Sequence, residues 1–263
     1  MATQQGTALI TGASTGIGAT YAHRLAHRGH DLILVARNEA KLQALARQLA
    51  TETGVNVRIV VADLTQPADT AKVEQILATD PAISVLVNNA GTATLEPLKA
   101  ADVHKLEAEI TLNITAPTRL SHAVLPGLLA RGHGAIINIA SVMSQMVQPG
   151  NTVYGGTKAY LLHFSQALAK EVEGTGVQIQ AVLPGATRTE IWSKGTTPLD
   201  ALPPEIVMEV DDLVDAALVG FDQKELVTIP SLPDAGDWQR LLDARNALLP
   251  NLSRNKPAAR YTP

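Results

Sequence analysis

Thr7-Ala8-Leu9-Ile10-Thr11-Gly12-Ala13-Ser14-Thr15-Gly16-Ile17-Gly18 decides how the chain is read. A short apolar run enters a glycine-rich turn, and a helical pattern carrying Tyr21, Ala22, Leu25 and Ala26 follows it. Glycines permit the tight turn, let backbone approach a pyrophosphate and let the helix pack close on the strand. The helix N-terminus then offers free N–H groups and the positive end of its dipole to the anion. Gly12, Ser14, Gly16, Ile17 and Gly18 are thus candidate contacts to a nucleotide. Their spacing, G-x3-G-x-G, departs from the common G-x-G-x-x-G fingerprint, and no Lys follows the last Gly as a Walker A loop requires.

Outward from this turn the same rhythm continues. Apolar runs at Asp31–Ala36, Val57–Ala62, Ile83–Val87, Ala135–Ala140, Gln178–Leu183 and Leu226–Ile229 alternate with stretches of helical period. Several runs lack polar alternation, as strands buried on both faces of a parallel sheet do. In Glu39–Thr53, for example, Leu42, Leu45, Ala46 and Leu49 recur at helical spacing behind a possible Asn38 cap. Right-handed crossovers turn this order into an α/β Rossmann-type fold: a doubly wound, seven-stranded parallel sheet with helices on both faces. Its ligand crevice lies outside the carboxyl ends of the strands. We expect one domain over 1–263, with a flap at about 186–210, where Thr, Pro, Lys and Gly surround an isolated Trp192.

Composition narrows the partners. The 263 residues are 46% hydrophobic and 17% charged, enough to bury a sizeable core. A formal net charge of −4 gives no basic field for nucleic acid or for an anionic membrane surface. The chain has no cysteine, hence no disulfide framework or thiol nucleophile, and no apolar run approaches a membrane span. These features predict a cytoplasmic protein acting on a small molecule.

About 20 residues past the turn, where a carboxylate would bind the ribose 2′-OH of NAD, the second strand ends Val35-Ala36-Arg37-Asn38. A guanidinium there can grip a 2′-phosphate bidentately, so Arg37, helped by Lys41, favours NADP(H). The lack of a basic residue at Thr15 weakens that choice, and Arg37 as a solvated strand-end charge is the alternative. Two further strand ends carry Asp63-Leu64 and Asn88-Asn89-Ala90-Gly91. The fifth delivers Ser141, and thirteen residues later Tyr154 and Lys158 stand at i and i+4 on one helix face. An adjacent ammonium would stabilise a phenolate and lower the phenol toward the operating pH, leaving Ser141 to orient a carbonyl. Taken alone, Tyr-x3-Lys is more often a surface tyrosine packed along a lysine stem.

The set Thr11–Gly18, Asp63, Asn88–Gly91, Asn113, Ser141, Tyr154, Lys158 and Pro184-Gly185 resembles the ordered motifs of the single-domain branch of the short-chain dehydrogenase/reductase family, over about the first 190 residues. By this resemblance the catalytic residues are Asn113, Ser141, Tyr154 and Lys158. Asn113 would hold a water that relays protons from Lys158, and Lys158 would also bind the nicotinamide ribose. Asp63 and Leu64 would flank the adenine, the backbone around Asn88, Ala90 and Gly91 would line the cofactor, and Pro184, Gly185, Thr187 and Thr189 would hold the carboxamide end. Gly155-Gly156 departs from the family's usual small Ala or Ser, through close packing of the first helical turn on the cofactor or through a less rigid base for Tyr154. His23 and His27, also i and i+4, lack an accompanying carboxylate motif, and no metal site is expected.

The function expected is NADP(H)-dependent hydride transfer between nicotinamide and a carbonyl or secondary alcohol. A nucleotide-binding regulatory or assembly protein with negligible turnover, and an NAD(H)-dependent alcohol dehydrogenase, are the alternatives. Thr92, Val142, Met143, Gln148 and Trp192 are candidate pocket residues. The apolar stretches Asp102–Leu129 and Thr152–Glu173 exceed what one sheet face covers, which predicts a homodimer or homotetramer.

Overall fold

Along the strands, alternate residues enter two different cores. In β1 (Thr7–Thr11) Ala8 and Ile10 join one apolar cluster and Leu9 the other. In β5 (Gly134–Ile139) Ala135, Ile137 and Ile139 separate from Ile136 in the same way. Both sheet faces are dry, which is why these strands read as unbroken apolar runs. The computed structural model describes residues 5–189 and 199–261.

The remaining elements are α1 (Gly16–His27), β2 (Asp31–Ala36), α2 (Glu39–Thr53), β3 (Val57–Val61), α3 (Pro67–Thr79), β4 (Ile83–Asn88), α4 (Val103–Ile110), α5 (Ala116–Arg131), α6 (Thr152–Glu171), β6 (Val177–Val182), β7 (Ala186–Thr187), β8 (Val207–Met208), α7 (Val210–Asp222), β9 (Val227–Thr228) and α8 (Ala235–Leu248). The main sheet runs β3-β2-β1-β4-β5-β6-β9, and all its pairings are parallel. Strand order reverses between β1 and β4, so the crevice opens at their carboxyl ends. The seven expected strands are present, the last reduced to two residues.

α1, α2 and α7 line one face and α3, α5 and α6 the other. In α1 the buried residues Gly18, Tyr21, Ala22, Leu25 and Ala26 form one stripe, while Arg24 bonds Asp211 and Asp215 and Arg28 bonds Asp222 on α7. Asn38 caps α2 as expected, its Oδ1 accepting from Lys41 N–H at 3.0 Å. The stretch Asp102–Leu129 is not one regular helix: a π-helical turn, Thr111–Thr115, separates α4 from α5.

The chain divides into two compact units, residues 1–230 and 231–263. Considered by itself, the second is α8, capped by Asp234 through the Gly236 N–H, followed by short 3-10 turns; α8 has no buried residue. Among the described residues, no helix is long and apolar enough to cross a membrane.

Candidate active site

Thr11, at the tip of β1, ties the two central strands together. Its hydroxyl donates to Val87 O and accepts from the N–H groups of Asn89 and Ala90, while Asn89 Nδ2 donates to the Thr11 and Gly12 carbonyls. The glycine turn is thereby fixed against β4, and two glycines are there for want of room. A Cβ on Gly18 would lie 2.4 Å from Gly12 O, and one on Gly12, at φ +65°, would lie 2.9 Å from Ala90 Cα. Thr11 and Asn89 were missed as site residues, although a hydroxyl before the turn and a doubled Asn after β4 were legible signals.

The residues fit a dinucleotide. Thr15 makes no side-chain cap and the first turn of α1 holds no acidic residue, so its leading N–H groups are left for an anion. Thr189 packs its methyl across Gly16, 3.3 Å from where a Cβ would stand, so the chain beyond Pro184–Gly185 reaches the turn at Thr189. Thr187, buried, donates to Gly185 O. Past the ends of β2 and β3, Arg37 is largely exposed, with Nη1 3.7 Å from Asp63 Oδ2. Burial works to raise the Asp63 carboxyl, but bonds from the Thr65 amide and hydroxyl, together with Arg37, hold it below its ordinary value. Leu64 is buried beside it. Asn88 turns its side chain into the core, donating to Ser121 and Asn138, so only its backbone is available to the crevice.

Ser141 leaves β5 and caps a 3-10 turn, Val142–Ser144, by accepting from Met143 N–H. Tyr154 sits in the first turn of α6, which packs on the turn that Ser141 caps, and Lys158 Nζ lies 5.7 Å from its ring centroid. Lys158 is buried and donates to Ile139 O at 2.9 Å. Burial pushes the Tyr154 phenol up to about 12, with nearby Ser141 working against it, and pushes the Lys158 ammonium down to about 8. The lowering of the phenol expected from Lys158 is not among the effects acting on Tyr154 in the chain alone: burial and Glu109 raise it and only Ser141 opposes them. Asn113, in the π turn, accepts from Thr92 N–H and donates to Thr92 O and to Thr157. It therefore locks the segment after β4 onto α6. Gly91 lies close to both: a Cβ there would stand 3.2 Å from Asn113 Oδ1, a tight approach, and 3.5 Å from Lys158 Nζ.

The two glycines behind Tyr154 differ in purpose. A Cβ on Gly155 would stand 2.7 Å from Asn151 Nδ2 and 3.1 Å from Met143 O, whereas Gly156 faces open space. Close packing at Gly155 is on the turn that carries Ser141. We expect Gly156→Ala to stabilise the protein by about 0.5–1 kcal/mol and Gly155→Ala to destabilise it. Thermal unfolding of the two variants checks both signs.

Of the candidate pocket residues, Val142 and Met143 are half-buried beside Ser141, Thr92 is held by Asn113, Gln148 is exposed, and Trp192 lies outside the described residues. So does residue range 190–198 of the expected flap. The flap's ends are more ordered than its composition suggested: β7 and β8 pair in parallel, Ala186 with Val207 and Thr187 with Met208.

Sheet order and an uncapped helix at the switch point make this a dinucleotide-binding fold of the doubly wound class. The family model described as short chain dehydrogenase matches residues 6–199, and the chain belongs to that family. Members bind a nicotinamide cofactor and act on small molecules. Among solved structures, a short-chain dehydrogenase from Sphingobium yanoikuyae in complex with NADPH is 51% identical at a TM-score of 0.95, covering 98% of this chain and 100% of that one. The bulky-bulky ketone specific alcohol dehydrogenase from Comamonas testosteroni is 45% identical at a TM-score of 0.92, covering 99% and 100%. The NADP-dependent 3-hydroxy acid dehydrogenase of Escherichia coli is 37% identical over 67% of this chain and 71% of its own length. Some curated relatives are longer: the match spans 54% of the inactive hydroxysteroid dehydrogenase-like protein 1 of Homo sapiens and 63% of very-long-chain 3-oxoacyl-CoA reductase-A of Danio rerio.

Proposed function

We propose that the protein is an NADP(H)-dependent carbonyl reductase whose substrates are bulky, largely apolar ketones, or the corresponding secondary alcohols in the reverse direction. The observation that carries this reading is Lys158 Nζ 5.7 Å from the Tyr154 ring on α6, which packs on the turn that Ser141 caps, at the switch-point crevice that the glycine turn also borders. The bound nicotinamide supplies the hydride. Ser141 orients the carbonyl oxygen, Tyr154 donates the proton to that oxygen, and Lys158 receives the ribose and replenishes the tyrosine, with Asn113 holding the water that relays the proton. Arg37 is assigned to the 2′-phosphate, and the NADPH complex of the Sphingobium relative supports that assignment.

The apolar substrate class rests on the loop behind Ser141. Val142 and Met143 are half-buried there, and Met146 and Val147 are exposed apolar side chains beside them. An exposed apolar mouth beside a polar centre fits a ketone with two large flanks, as in the name of the Comamonas relative. A panel of aliphatic, aryl and diaryl ketones with NADPH and with NADH, followed as loss of nicotinamide absorbance, tests the reading. Turnover that favours two bulky substituents and NADPH is the expected result. No turnover across the panel, with cofactor binding intact, would favour the binding-protein alternative instead.

We further infer a cytoplasmic homo-oligomer. Val103, Ile110, Leu129 and Tyr160 are exposed on α4, α5 and α6, the surface expected to meet a second copy. Light scattering at micromolar concentration is expected to give a mass at least twice the 27.7 kDa of one chain. A monomer rejects this.

A further inference from the structure

Glu109 is a buried titratable group without a task in the reading above. It lies on α4, three residues after buried Leu106 and four before Asn113, with no exposure to solvent. Its Oε2 accepts from Thr94 N–H at 2.8 Å, and its Oε1 has no hydrogen-bond partner. A carboxylate so placed is costly unless nearby charge compensates. α4 packs on the π turn, which offers the uncharged Asn113, and on α6, which offers Tyr154 and Lys158. The other ionisable groups of α4, His104, Lys105 and Glu107, are exposed. Burial pushes the Glu109 carboxyl up while Thr94 and Lys158 act against it, and its charge in turn raises both Lys158 and Tyr154.

We propose that Glu109 is a positioning residue for the Tyr154–Lys158 pair: a fully buried carboxyl with one oxygen unpartnered, on the helix that packs against α6, it sets the charge around buried Lys158, and its bond to Thr94 anchors the segment after β4 beside the pair. The proposal rests on the reading of Tyr154 as proton donor only for its consequence in turnover. A negative charge beside two acids retains their protons, so at neutral pH the site is kept in the phenol form that reduction needs. Alcohol oxidation, which needs the phenolate, is held back to higher pH.

Glu109→Gln removes the charge and keeps an oxygen able to accept from Thr94. The direct readout needs no substrate. In protein labelled with 13C at lysine Cε, the Lys158 signal, assigned by its loss in Lys158→Met, is expected to titrate at about 8. In Glu109→Gln the midpoint should fall by about half a pH unit or more. The acid limb of alcohol oxidation should move the same way, making oxidation about two- to fivefold faster on that limb. A folded Glu109→Gln protein with an unchanged Lys158 midpoint overturns the proposal, whereas a shifted midpoint in a protein that turns over no ketone upholds it and rejects the reductase reading. If the variant does not fold, wild type decides. The Thr94 amide shift reports Glu109 ionisation across their bond, and the Lys158 signal must inflect at the same pH; a Thr94 response without that inflection overturns the coupling.

Discussion

Tyr154→Phe is expected to lower kcat for ketone reduction by about 10² to 10⁴, the usual loss when a positioned general acid is removed. The ring remains, so the packing of α6 on the Val142–Ser144 turn is preserved, and only the hydroxyl is lost. NADPH affinity should therefore stay within about tenfold of wild type, the effect of one hydrogen bond at most. Steady-state kinetics with the best ketone, together with a fluorescence titration of NADPH, separates the two quantities. Near-normal kcat would show that the proton comes from another group. A parallel loss of cofactor affinity and thermal stability would instead mean that the hydroxyl serves the fold.

Arg37→Ala is expected to raise KM for NADPH by about tenfold and to leave KM for NADH nearly unchanged. A charge-assisted bond to a phosphate contributes roughly 1.5–3 kcal/mol, or about 10- to 100-fold. The lower end applies, because the Arg37 side chain is 67% exposed and already 3.7 Å from the Asp63 carboxylate. Exposure screens the attraction, and Asp63 must release part of its hold as the phosphate arrives. Equal losses with both cofactors would mean that Arg37 supports the Asp63 turn and does not select the phosphate.

The strands were legible because both faces of the sheet are buried, so apolar runs needed no partner to be recognised. The observed bounds of β1 to β6 differ from the expected ones by no more than one residue at either end. The break in Asp102–Leu129 was not legible. A π turn inserts one residue into a helix without changing composition, and Leu112, Asn113 and Ile114 carry no breaker. Pro126, the residue that would have suggested a break, lies inside α5 instead. Glu109 did leave a signal, a charged residue three places after Leu106 on the apolar stripe of a helix.

Order and spacing along the chain determined the family and the sheet and singled out Ser141, Tyr154 and Lys158 as candidates, since these depend on local periodicity and on residue types at turns. What the sequence could not carry is anything that depends on which groups share a desolvated space. Only the tertiary structure turned Asn88 into the core while Asn89, one residue on, braced the glycine turn. Only it distinguished a glycine that must be small, Gly155, from a neighbour that need not be, Gly156. The same is true of the charges. Spacing placed Lys158 one helical turn from Tyr154, but burial decided that the phenol goes up and the ammonium down, and the fold brought Glu109, 45 positions before Tyr154 and 49 before Lys158, to bear on both. Proton affinities are set by solvent exclusion and by distances between residues far apart in sequence, and neither quantity exists until the chain has folded.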